Sequence, residues 1–392
     1  MSKANILVIT SDPWLDRLHG ASVLRMFRSL ADTGYKVRII MPSTINKSVK
    51  QNNLLITTLE VKNYIPLFTL MKLYASAFKI LLRERPKLII FDYSMLPIFF
   101  LAKTLLNNKG IMLILSRPVG ESGFRGFIRF LNFKLSLIIG RCFVDLFTAI
   151  TPFEAYEFSR IANIPLRKFV VIPSPLGDEF VKFSISENIN EIRPKLGLQS
   201  LINKKILLYH GSLDKERGIM QIIKLFYESF KENSEIVLLL AGTGTAENLI
   251  REFIKQNRVN NIIILPPVPF EQVPILVSSC DVGLVILPDH PWWRYQCPTK
   301  LVEYLALGKP VIASDLPGIR WVAGKCPLVM YIKSLKKKEF EEAVSKALIL
   351  IREPSFNLEK LYAQKYVQRR FGSSSIALKL GYLIDSLINK SR

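Results

Sequence analysis

Short apolar runs of strand length alternate with amphipathic stretches along this chain, and near the middle the alternation starts again. Strands separated by helical patterns build parallel sheets with helices on both faces, so a restart implies a second sheet. In the first half, Asn5–Thr10, Lys36–Met41, Lys87–Phe91, Ile111–Leu115, Ala149–Thr151 and Val170–Ile172 read as strands. Ala21–Thr33, Pro66–Arg85 and Leu96–Leu106 read as helices. In the second half, Lys205–His210, Glu235–Ala241, Ile262–Leu265 and Val282–Ile286 read as strands, and Met220–Glu232, Ala246–Gln256 and Glu271–Ser278 as helices.

The chain has 392 residues, whereas single cores stop growing near ~250–300, so two domains are expected. The polar stretch 184–201 reads as the linker, and 365–390 as one or two helices broken near Gly372-Ser373. The limits that follow are 1–190, 191–365 and a helical tail at 366–392. Two doubly wound, Rossmann-like domains facing a central cleft are the expected architecture, with ligands outside the carboxyl ends of the strands.

The net charge of +22 points to an anionic partner or surface, or to a proteome-wide bias in composition. Cys142, Cys280, Cys297 and Cys326 lack CxxC spacing and there are only three histidines, so neither disulfides nor a metal site is expected. The start, MSKANILVITSD, has too short an apolar run for a signal peptide. The run Leu88–Ala102 is broken by Asp92 and falls short of the ~18–20 residues of a membrane span. A cytoplasmic protein is expected, with no spanning helix.

Four places invite a ligand, each with a plainer reading beside it. Gly20 opens the first helix, where its backbone can approach an anion; it could equally be a turn glycine. The loop His210-Gly211-Ser212-Leu213-Asp214-Lys215-Glu216-Arg217-Gly218 follows a strand and can hold a diphosphate, with Arg217 as a forked donor. A solvated charged turn would look the same. Ala241-Gly242-Thr243-Gly244 is either a ligand-lining turn or connection geometry. In Pro298-Thr299-Lys300-Leu301-Val302-Glu303-Tyr304, Lys300 and Glu303 share one helical face. As a surface ion pair they would be worth at most ~1 kcal/mol. The Gly308-Lys309-Pro310 break and the apolar strand Val311–Ser314 that follow favour a built site.

The segment PTKLVEYLALGKPV resembles the "P-x-K-x-x-E-Y-x-A-x-G-x-P-V" signature of the family-four (group 1) retaining glycosyltransferases, which have the GT-B fold. The resemblance extends to HGSLDKERG, AGTG, CDVGLVILP and PSPLGDEF, and is strongest in the second half. It implies a nucleotide diphosphate sugar as donor, a glycan or lipid-linked acceptor on the first domain, and no metal or other cofactor. It also implies a C-terminal helix packing back on the first domain. Glu303 would bind the donor ribose. Arg217 and Lys300, with backbone N–H groups around Thr299, would bind the diphosphate, and Val268 would lie beside the base. Gly20, Gly211, Ser212 and Gly242 would line the donor site. Three departures stand out. Tyr295 occupies the place of a second glutamate, eight residues before Glu303. Ser212 replaces the loop's usual arginine. Ser116-Arg117-Pro118 stands where many members have a histidine, which makes Arg117 a catalytic candidate beside Arg217 and Lys300.

Phe124–Arg141 interleaves Phe124, Phe127, Phe130 and Phe133 with Arg125, Arg129, Lys134 and Arg141. A basic aromatic helix suits an anionic membrane surface. Arg125, Phe127, Arg129, Phe130 and Lys134 are the candidate membrane and acceptor residues, and the alternative is a core-packed helix with a solvated edge. Two other functions fit less well: a nucleotide-sugar epimerase of the same fold, and a non-enzymatic binder of anionic surfaces. Nucleic acid is not an expected partner.

Overall fold

The structure, a computed structural model, describes residues 3–15, 18–44, 48–61, 66–115, 124–183 and 189–389. It forms two compact units, Met1–Gly177 with Phe371–Arg392, and Asp178–Arg370. The first division falls thirteen residues before the expected limit at 190.

Among the described residues, the first unit holds eight strands in one sheet: β1 (Asn5–Ile9), β2 (Lys36–Ser43), β3 (Ser48–Gln51), β4 (Leu54–Glu60), β5 (Leu88–Phe91), β6 (Lys109–Met112), β7 (Leu146–Ala149) and β8 (Phe169–Val171). Their order is β3-β4-β2-β1-β5-β6-β7-β8. Neighbours run parallel except β3, which pairs antiparallel with β4. This edge hairpin was not read from the sequence; its turn uses Asn52 at φ 46, a conformation asparagine tolerates. The later strands sit two to three residues before the expected Ile111–Leu115 and Ala149–Thr151, and one before Val170–Ile172. Helices α1 (Leu18–Asp32), α2 (Pro66–Glu84), α3 (Leu96–Leu106), α4 (Phe124–Gly140) and α5 (Pro152–Ala162) connect the strands. Gly20 is therefore the third residue of α1, not the residue ahead of it.

At the carboxyl edge, the chain order reverses between β1 and β5. There Asp92 joins the two strand ends. Its Oδ2 accepts from Thr10 Oγ1 (3.0 Å), Ser11 N (2.5 Å) and Ser11 Oγ (2.9 Å), and its Oδ1 from Ser94 N (2.9 Å). Burial pushes this carboxyl up while those hydrogen bonds pull it down.

Helix α4 is continuous despite Gly126 and Gly140, and it sorts its residues by side. Phe133, Ser136 and Leu137 are buried, with Phe133 edge-on to Tyr93 and Phe158. Phe127, Ile128, Leu131, Leu135 and Ile139 face outward with Arg129 and Lys134. Among the interleaved phenylalanines, Phe133 is core, Phe130 is half-buried and Phe127 is exposed. Of Arg125 only the backbone is described.

The second unit contains α6 (Asp178–Lys182), α7 (Ile189–Lys195), β9 (Lys205–His210), α8 (Ile219–Phe230), β10 (Ile236–Ala241), α9 (Glu247–Gln256), β11 (Ile262–Leu265), α10 (Val273–Ser279), β12 (Val282–Val285), α11 (Thr299–Ala306), β13 (Val311–Ser314), α12 (Pro317–Ala323), β14 (Val329–Ile332), α13 (Lys337–Leu350) and α14 (Phe356–Phe371). Its parallel sheet runs β11-β10-β9-β12-β13-β14. Apolar runs such as IVLLLA in β10 are buried throughout because helices cover both faces.

The stretch expected as linker contributes α7, whose Arg193 is 1% exposed. That guanidinium donates to the carbonyls of Ser279, Leu201, Ile202 and Lys204 and to Asp281 Oδ2 (2.9 Å). A buried charge of this kind persists only when its donors are satisfied, as here.

The last helix, α15 (Ser373–Asn389), belongs to the first unit. It lays Ile376, Ala377, Leu380 and Ile384 into one core with Met26, Phe27 and Leu30, and Tyr35 Oη donates to Gly381 O (2.9 Å). The C-terminal helix therefore packs on the first domain, as the fold class implies. Among the described residues no helix is long and apolar enough to cross a membrane.

Candidate functional site

In the second unit the chain order reverses between β9 and β12, and the carboxyl ends there gather the residues of interest. The loops after β9 and β10 are joined by backbone hydrogen bonds: Gly211 N to Ala241 O (2.9 Å) and Leu213 N to Thr243 O (3.0 Å). Gly211 has φ +104 and Gly242 φ +148, and a Cβ on Gly242 would lie 1.9 Å from Gly211 O. Only glycine lets the two turns pass this closely.

Helix α11 is seated by Tyr304. Its Oη donates to Leu208 O (2.7 Å), and its ring covers Gly283 so tightly that a Cβ there would meet it at 2.5 Å. Pro298 stands at the helix N-cap with no side-chain cap, and half-buried Thr299 opens the helix. Lys300, the next residue, and Glu303, one turn along, are each 8% exposed, which removes the surface ion-pair reading.

Lys300 Nζ lies 3.5 Å above the Tyr209 ring centroid and has no hydrogen-bond partner. It points past Gly211, where a Cβ would stand 3.9 Å from it. Burial and then the Arg217 charge pull the Lys300 amine well below its ordinary range, and Glu303 opposes them. Arg217 is half-buried, with its guanidinium carbon 4.8 Å from the Trp293 ring centroid. Trp293 is itself tied by Nε1 to Glu216 O (3.0 Å). Two cations therefore share the strand ends with one carboxylate, an arrangement that attracts an anion.

His210, the last residue of β9, completes the group. Its Nε2 is 3.3 Å from Glu303 Oε2, off the line needed for a hydrogen bond. Burial and the Lys300 charge hold the imidazole down to about 3, so it is neutral near pH 7. In the sequence His210 was only the first residue of the candidate loop, with no role of its own, and Trp293 was not singled out.

The remaining expected residues take different places. Ser212 Oγ donates to the Asp214 carboxylate, which also accepts from Thr245 N (3.1 Å). Val268 is half-buried in the loop after β11, two strands from β9. Tyr295 sits in the turn where Arg294 makes a two-pronged pair with Asp289 (2.7 Å each). Gly20 lies in the first unit, and Arg117 lies outside the described residues. Among the described residues no three His, Cys, Asp or Glu side chains gather as a metal site would require.

The model of the family "Glycosyl transferases group 1" matches residues 188–350. The match lies wholly within the second unit. Over 173 residues the chain is 28% identical to the putative teichuronic acid biosynthesis glycosyltransferase TuaC of Bacillus subtilis, covering 44% of this chain and 40% of that protein. It is 30% identical over 148 residues to the alpha-monoglucosyldiacylglycerol synthase of Streptococcus pneumoniae, covering 36% and 32%. The chain thus spans less than half the length of these curated relatives. Among solved structures, Anabaena Alr3699/HepE in complex with UDP and glucose superposes with a TM-score of 0.74 at 15% identity, over 98% of this chain and 100% of that one. Sucrose-phosphate synthase of Thermosynechococcus elongatus gives 0.76 at 16%, over 99% and 100%. At such identities the likeness is one of fold, and the fold is of the GT-B class.

Proposed function

We propose that this chain is a glycosyltransferase that moves a sugar from a nucleoside diphosphate sugar to an acceptor hydroxyl with retention of configuration. The observation that carries the reading is the buried, unpartnered Lys300 Nζ beside Arg217 and Glu303 at the sheet's reversal point. Glu303 accepts from the ribose hydroxyls, and Lys300, Arg217 and the open amides at the start of α11 receive the diphosphate. As the anomeric C–O bond to the diphosphate breaks, the acceptor oxygen bonds to the same face, and its proton passes to the departing phosphate oxygen. The cations stabilise the charge growing on that leaving group, with no metal required. The Anabaena neighbour's complexes with UDP and UDP-glucose support the donor class. Calorimetry with UDP-, GDP- and ADP-sugars tests the site: Glu303→Ala should weaken the preferred donor about 100-fold, and unchanged affinity would overturn it.

The acceptor side of the proposal is a glycan or lipid-linked acceptor reached at the cytoplasmic membrane surface. Outward Phe127, Leu131, Leu135 and Ile139 form a stripe along α4, with exposed Arg129 and Lys134 beside it. That face suits an anionic bilayer interface, apolar side chains inserting and cations meeting headgroups. In flotation assays the protein should rise with phosphatidylglycerol vesicles, and a Phe127→Ser, Leu131→Ser variant should lose about tenfold in binding. Equal flotation of both proteins would remove α4 from the reading.

A further inference from the structure

We infer that His210 is a positioning residue for donor recognition: its Nε2–H steers the Glu303 carboxylate toward the ribose hydroxyls. This rests on the donor site proposed above and adds to it a residue outside the signature. The geometry supplies three reasons. First, β9 is otherwise apolar through Ile206, Leu207, Leu208 and Tyr209, and His210 is only 7% exposed at its end. A ring nitrogen buried at such a place is costly unless it has a task. Second, the ring is packed in place. It lies edge-on to Tyr304, centroids 5.1 Å apart, and Tyr304 is itself clamped between Leu208 O and Gly283. Third, Nε2 stands 3.3 Å from one oxygen of Glu303, and a turn of the carboxylate would bring that oxygen onto the N–H line. A neutral imidazole facing a carboxylate must carry its proton on the facing nitrogen, since the other tautomer sets lone pair against lone pair.

A neutral donor suits the task. It fixes the carboxylate's rotation without cancelling the charge that accepts from the ribose. A cation in the same place would compete with the sugar hydroxyls for Glu303. Lys300, whose Nζ lies over Tyr209 and beside Gly211, is left for the phosphates.

The test compares UDP, GDP and ADP with their 2′,3′-dideoxy counterparts by calorimetry on the full chain. Wild type should prefer the ribose form of its best ligand at least tenfold, and Glu303→Ala should abolish that preference. His210→Phe keeps the ring and removes the nitrogen. It should cut the preference at least fivefold while leaving the dideoxy affinity within twofold, and His210→Gln should restore most of it. Equal weakening of both ligands would mean that His210 only packs, and an intact preference would remove it from the site; either result overturns the inference. A wild type without any ribose preference would overturn the donor reading itself, and this inference with it. Nitrogen NMR of the histidine ring supplies a check that needs no variant: a proton on Nε2 supports the proposal, and one on Nδ1 overturns it.

Discussion

Both units bury charged or polar groups where the chain order reverses at the carboxyl edge of a sheet, yet they treat them in opposite ways. In the first unit, Asp92 is surrounded by four donors from Thr10, Ser11 and Ser94, so its capacity is spent within the protein. In the second, Lys300 Nζ has no hydrogen-bond partner and His210 Nε2 is poorly aligned with its neighbour. A saturated carboxylate pins a loop. Unspent nitrogens, costly in an empty site, are what a ligand-binding site retains. On the proposed donor site, the same topological position is a fastening in one unit and a receptor in the other.

Replacing each group separates the two roles. Lys300→Met should lower transfer activity about 100–1,000-fold, as expected for loss of charge at the leaving group. The same variant should keep or raise the melting temperature, because a buried unpaired cation gives way to an apolar chain of similar length. A large drop in melting temperature would show that Lys300 holds the fold, and the comparison would collapse. Asp92→Asn should do the reverse. Its amide turns a donor toward Ser11 N–H, costing about 1–3 kcal/mol of stability in chemical denaturation and leaving nucleotide affinity unchanged. Unaltered stability would mean that Asp92 already carries a proton.

The smallest effect is a pH slope. His210 has a folded pKa of about 3 against an ordinary 6.5, so between these values the unfolded chain holds a proton that the folded chain lacks. Acidification therefore favours unfolding: this contribution is present above pH 6.5 and is lost as the pH falls toward 3. The slope is at most about 1.4 kcal/mol per pH unit for one proton. His210→Gln should flatten the fall in stability between pH 6.5 and 5, and an identical fall would place the group in a more hydrated setting.

Much of this was legible in the sequence, for identifiable reasons. Unbroken apolar runs mark strands of a helix-covered sheet, so buried Lys205–His210 and the half-buried edge strand Ile262–Leu265 could both be bounded to the residue. Gly372 marked the break between the last two helices. The edge hairpin of β3 and β4 was missed because SVKQ is short and polar, as strands with one solvated edge tend to be. Arg193 was hidden because its partners are mostly backbone carbonyls, which no residue pattern encodes. In the site, the signature residues stood close together in sequence. The His210–Glu303 approach joins positions 93 apart, and only the packing of Tyr304 brings them together.

The return of α15 to the first unit has a consequence for synthesis. The core around Met26, Phe27 and Leu30 is incomplete until Ile376, Ala377, Leu380 and Ile384 have been made. From Gly177 to Phe371 the ribosome must add 371 − 177 = 194 residues before the chain re-enters that unit. At ~5–20 residues per second this takes about 10–40 s. Throughout that interval the nascent first unit carries an open seam along α1, while the whole of the second unit emerges and can close its own core.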